Sequence, residues 1–129
     1  RDPMATCWSI YKYYFNGNSY SFNQDDLAQY YLLYKDLMSF WHKKFPNKIF
    51  DISYENLTIN QEYETRRMLE YCELDWDENC LKFYENKSEV KTTSALQVRQ
   101  KMYQGSSEVW KKYESYLQTL ISGLNYYKS

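Results

Sequence analysis

Apolar side chains recur along residues 24–44 at spacings of four and three, through Leu27, Tyr31, Tyr34, Met38 and Trp41. That period predicts a helix from Gln24 to Lys44 whose stripe faces a core. Phe45-Pro46-Asn47 ends it, because the residue before a proline is pushed out of helical geometry. Upstream, Asp2 and Pro3 precede MATCWSIYKYYF, which predicts a helix from Pro3 to Phe15 with proline in its first turn and a carboxylate at its positive end. The cluster Asn16 to Ser19 reads as a turn.

Lys48 to Tyr54 alternates, with Ile49, Asp51 and Ser53 set against Phe50, Ile52 and Tyr54, and predicts a strand. No other run offers it a partner, so its backbone groups would need neighbours from elsewhere. Asn60 or Thr58 caps a further helix, Gln61 to Glu73, with Tyr63, Met68, Leu69 and Cys72 turned inward and Arg66 and Arg67 outward. Asp77 to Tyr84 forms a short helix. Residues 86–105 lack periodicity and form a long loop of the kind that carries function. Ser106 or Ser107 then caps a last helix to Gly123, with Val109, Trp110, Tyr113, Leu117 and Leu120 as its apolar face. The pattern is mostly α with one or very few strands.

Composition adds bounds to this pattern. A chain of 129 residues predicts a single domain, residues 1–129. Aromatic residues make up 20% of it, with tyrosine at 16 positions, and supply buried area carrying polar tips. Mean hydropathy is -0.84 and no long apolar run occurs, so no membrane span is expected. A net charge of -1 provides no positive field to recruit a polyanion, which argues against nucleic acid as a partner. Cys7, Cys72 and Cys80 form no CxxC and are odd in number, which predicts reduced, buried thiols. With no apolar leader ahead of Asp2, that thiol pattern sets the expectation of a cytoplasmic protein. The sequons at Asn56 and Asn86 are discounted on the same ground. His42 lacks a relay partner, and Cys72, Cys80 and His42 lack zinc-site spacing, so neither a hydrolytic triad nor a metal is expected.

Three stretches carry candidate chemistry. In RDPMATCWS, Arg1 precedes a helix and Ser9 stands eight residues later, about two turns along. A forked guanidinium and a hydroxyl so arranged can share one phosphate. The plain alternative is a capping Asp2, an exposed Arg1 and a mid-helix Ser9. In YENL, Tyr54 ends the predicted strand, where open sheets deliver groups to a ligand, or else simply packs the strand. In SALQVRQ, Ser94 and Arg99 lie in a basic loop before a capped helix, able to fold over a phosphate or to stand as a solvated loop.

Together, these stretches resemble the carboxyl-terminal half of PAPS-dependent sulfotransferases, especially bacterial enzymes related to tyrosylprotein sulfotransferase. The match spans Arg1 to about Leu124. In that family an Arg-Asp motif with a serine eight residues after the arginine binds the 3′-phosphate of PAPS, which implies Arg1 and Ser9 here. A Tyr-Glu-x-Leu strand end supplies a tyrosine beside the adenine, which implies Tyr54. A Ser-x-x-Gln-Val segment with a tryptophan thirteen residues after the glutamine corresponds to Ser94, Gln97, Val98 and Trp110. The resemblance implies Ser94 near the transferring sulfuryl group, while Arg99 and Lys101 are nearby cations in this chain, of which Arg99 is taken as a second anion contact.

Two departures qualify it. Val109 stands where that branch often carries a cofactor-holding lysine. The glycine-rich 5′-phosphosulfate loop and the catalytic base, upstream in the family, have no counterpart, since Gly17, Gly105 and Gly123 are the only glycines. The expectation is a P-loop α/β sulfotransferase fold lacking its phosphosulfate-binding half. Such a fragment is inactive alone but, within the intact protein, moves a sulfuryl group from PAPS to a hydroxyl or tyrosine acceptor. The alternative is a non-catalytic helical module that binds a protein partner or pairs with a second copy of itself, through apolar surface left by the missing half.

Overall fold

In the computed structural model, which describes residues 1–13, 17–86, 88–89 and 96–126, the contacts divide the chain into two compact units. The first comprises Arg1–Ile49 and Gly105–Ser129, the second Phe50–Gln104.

Asp2 starts the first unit. Its carboxylate accepts the Ala5 amide at 2.7 Å, Pro3 occupies the first turn, and α1 runs Pro3–Tyr11. The helix stops short of Phe15, which lies outside the described residues, as does Asn16. Asn23 caps α2, Gln24–Lys44, by accepting the amides of Asp25 and Asp26 at 2.7 and 3.2 Å. A short 3-10 turn, Ser19–Phe22, leads into it.

The last predicted helix is broken in two. A 3-10 segment spans Ser106–Tyr116 and an α-helix continues over Gln118–Gly123, with Leu117 between them out of helical geometry. Gly105, at a φ of 88°, precedes the segment, and no side chain caps it. Gln24 mends the break: its amide donates to the Tyr116 carbonyl at 2.9 Å and its oxygen accepts from the Leu120 amide at 3.1 Å. Groups orphaned where the helix is interrupted thus find a partner on α2.

The core of this unit joins Met4, Ala5 and Cys7 of α1, Leu27 and Ala28 of α2, and Trp110, Leu117, Leu120, Ile121 and Leu124 of the C-terminal segment. Gly123 permits the closest approach, since a Cβ there would stand 2.7 Å from that of Ala28. Only the first turns of the α2 stripe are buried. Leu27 is 1% exposed whereas Tyr34 and Trp41, assigned to the same core face, are 51% and 38% exposed. Val109 and Tyr113, predicted to face inward, are also exposed.

In the second unit the predicted strand is absent. Residues 49–53 are irregular, and Ser53 accepts the Asn56 amide at 3.3 Å, turning YENLTI into a helix, α3, over Tyr54–Ile59. Among the described residues there is no strand, which follows from the missing partner: an isolated run cannot satisfy its ladder, whereas a helix satisfies itself. The fold is mostly helical. Helix α4 covers Gln61–Tyr71, and 3-10 segments cover Glu78–Glu85 and Gln97–Arg99. Asp77 caps the first of these by accepting the Asn79 amide at 2.8 Å.

The inward face predicted for α4 is corrected. Tyr63, Met68 and Cys72 are exposed and Leu69 is half-buried, while Glu64 and Thr65 are the buried residues. These residues make polar bonds, with Thr65 donating to the Gln61 carbonyl at 2.7 Å, Gln61 to that of Leu81 at 3.3 Å, and Glu64 paired with Arg67 at 2.9 Å, while Tyr71 stacks on Phe50 with centroids 5.1 Å apart. The other arginine, Arg66, pairs with Glu62 at 2.7 Å and lies 3.7 Å over the Trp76 ring. All three cysteines are free; Cys7 is buried and Cys80 half-buried, but Cys72 is exposed, contrary to the buried thiols expected. No helix among the described residues is long and apolar enough to cross a membrane.

Candidate functional site

Asp2 and Arg1 divide their work. The Asp2 carboxylate is engaged at both oxygens, with the Ala5 amide on one and the Tyr126 hydroxyl, at 2.6 Å, on the other. Tyr126 meets Trp110 edge-on with ring centroids 5.4 Å apart, and so ties the start of α1 to the C-terminal segment. Arg1 remains exposed at the helix N-terminus. Its Nη2 donates to the Ser106 carbonyl at 3.4 Å and meets the Ser106 hydroxyl at 3.5 Å, the outer limit of hydrogen-bond reach.

Arg1 also lies at a cleft of about 570 Å³ walled by Thr6 and Ile10 of α1 and by Leu27, Tyr30 and Tyr34 of α2. Tyr30 stacks on Tyr20 with centroids 3.9 Å apart, and desolvation, then the neighbouring Tyr30, raises the Tyr20 hydroxyl above its ordinary pKa. The walls are mostly apolar, and Arg1 is the one charged residue among the described residues that line it. Sequence reasoning missed these lining residues, although the spacing of four between Thr6 and Ile10 is a legible signal.

Ser9 is half-buried on α1, roughly 60° around the axis from Thr6, and does not line this cleft. The structure therefore does not bring Arg1 and Ser9 together there. Its neighbour Trp8 stacks on Tyr113 with centroids 4.6 Å apart. The indole N–H groups of Trp8 and Trp110 are buried without hydrogen-bond partners among the described residues.

Tyr54 and Arg99 belong to the second unit. Tyr54 is half-buried and opens α3 instead of closing a strand. Arg99, half-buried in its 3-10 turn, donates to the Ser88 carbonyl. Ser94 lies outside the described residues. No cluster of His, Cys, Asp or Glu among the described residues is suited to a metal ion. Beside Trp76, Asp77 serves as a cap and Glu78 accepts the Trp76 indole N–H at 3.0 Å.

The family model described as the sulfotransferase family matches residues 1–78, a span that contains Arg1, Ser9 and Tyr54. The chain belongs to the sulfotransferase family. An uncharacterized protein of Aquifex aeolicus (strain VF5) is 42% identical over 88 residues, 68% of this sulfotransferase-family chain. The matched region spans 12% of that relative's length. No solved structure matches.

Proposed function

We propose that this chain supplies the 3′-phosphate side of a PAPS site, and that the whole protein transfers the sulfuryl group to a hydroxyl or tyrosine acceptor. The observation that carries the reading is the exposed Arg1 guanidinium beside a capped helix N-terminus, within the region that matches the family. A guanidinium there can grip a phosphate by paired, charge-assisted bonds, and the helix dipole adds to the attraction.

Arg1 and Ser9 are the proposed 3′-phosphate contacts, Tyr54 the adenine neighbour, Arg99 a second anion contact and Ser94 the hydroxyl near the sulfuryl group. Bound PAPS supplies an activated sulfuryl group on a phosphate leaving group. On the 5′ side the sequence has no glycine-rich loop, so no step of transfer is assigned to this chain's residues. Its own part is to bind and orient the nucleotide, the work on which sulfuryl transfer, like phosphoryl transfer, mostly depends. The tyrosylprotein branch and a bacterial source belong to this proposal through the Ser94, Gln97, Val98 and Trp110 pattern, as does a cytoplasmic setting through the free cysteines.

Isothermal titration of adenosine 3′,5′-bisphosphate into the chain tests the reading. Binding that weakens by about tenfold or more in Arg1→Ala supports it, a loss in line with one charge-assisted contact. Absence of binding by both proteins overturns it and leaves the non-catalytic helical module, which the exposed apolar face of α2 favours.

A further inference from the structure

The second half of α2 presents a face that the core does not use. Tyr30, Leu33, Tyr34, Leu37, Phe40 and Trp41 are between 38% and 66% exposed, and at 100° per residue they form one stripe that borders the buried Leu27, turns away from the buried Ala28 and includes four residues of the Arg1 cleft, Tyr30, Leu33, Tyr34 and Leu37. Six half-open apolar side chains on one helix face exceed what scattered surface residues present, and mark an interaction surface.

The charges at its ends say what fits it. Asp26 and Lys44, both exposed, lie on the same face as the stripe, one at its amino-terminal end and one at its carboxyl-terminal end. The other charged residues of the helix, Asp25, Lys35, Asp36 and Lys43, point elsewhere around the axis. Along the seam the order is Asp26, Tyr30, Leu33, Leu37, Phe40, Lys44, at spacings of 4, 3, 4, 3 and 4. That order is symmetric about Lys35: the outer pair, the aromatic pair and the leucine pair all share it as midpoint.

We infer that this face binds a second copy of the same chain, with the two α2 helices antiparallel about a two-fold axis level with Lys35. In that register Leu33 of each copy meets Leu37 of the other, and Tyr30 meets Phe40. Asp26 meets Lys44 at both ends. Spacings of four and three are those of helices that interlock at a shallow crossing angle. A parallel pairing would instead set Asp26 against Asp26 and Lys44 against Lys44. An isologous contact needs a self-complementary patch, and an apolar seam with opposite charges at its ends is one.

Sedimentation equilibrium of the whole chain at low salt is the test, with circular dichroism to verify folding. The wild type is expected to dimerise in the micromolar range. Leu37→Glu changes an exposed residue and is expected to leave a folded monomer. Asp26→Lys sets like charges together at both ends and is expected to raise the dissociation constant about tenfold. Asp26→Lys combined with Lys44→Asp is expected to restore the dimer, even though both swaps oppose the α2 dipole, which separates pairing from helix stability. A monomeric wild type at every concentration overturns the inference. So does a dimer indifferent to Leu37→Glu, or a double variant no tighter than the single.

Discussion

Asp2 caps a helix with one carboxylate oxygen and holds the Tyr126 hydroxyl with the other. Asp2→Ala is therefore expected to cost about 1–3 kcal/mol in urea denaturation, and Tyr126→Phe about 1 kcal/mol, since only the second leaves the cap in place. The cap was legible in the sequence from Asp2 and Pro3; Tyr126 was not, because nothing local connects it to a residue at the other end of the chain. Cys7, one turn further along, is buried in the core, and burial, then the charge of Asp2, pushes its thiol from 9.0 up to about 12. The folded protein keeps this proton where the unfolded chain releases it. Stability is thus expected to fall as pH rises from 9.0 toward 12, and Cys7→Ala to flatten that slope relative to the wild type. Mass spectrometry after alkylation is expected to find Cys72 modified and Cys7 protected in the native protein.

Among the elements, α2 matches its predicted limits of Gln24 and Lys44, because its period, its Asn23 cap and the following proline agree. Its inward face was legible only at Leu27, since periodicity states which residues share a stripe and not how far along the helix a neighbour extends. The strand was misread for a related reason. Alternation in residues 48–54 fits a strand only beside another, and with Ser53 as a ready cap the chain forms α3. The break at Leu117 was also missed, because its remedy, Gln24, is remote in sequence. Gln24→Ala is expected to cost about 1–2 kcal/mol by freeing the Tyr116 carbonyl and the Leu120 amide. Gly123→Ala is expected to destabilise by about 1–3 kcal/mol, because the new methyl meets Ala28 at 2.7 Å. Combining it with Ala28→Gly is expected to recover part of that loss.

For the whole molecule, the resemblance to the family was legible from order and spacing, Arg1 with Ser9 and then YENL, and the family model matches residues 1–78. Among the described residues, the buried hydrophobic ones all lie in the unit that holds Arg1, whereas Tyr54 and Arg99 belong to the other unit. The spacing of Arg1 and Ser9 gave no sign that Arg1 lines a cleft with Thr6 and Ile10. Tyr54 was legible as a residue and misplaced as an element. The most direct measurement is the affinity of the chain for adenosine 3′,5′-bisphosphate against adenosine 5′-monophosphate, each with and without Arg1. The account predicts that the bisphosphate binds at least about tenfold more tightly, and that Arg1→Ala erases this preference while leaving the weaker nucleotide unchanged. Equal affinity for the two nucleotides, or a preference that survives Arg1→Ala, would contradict it.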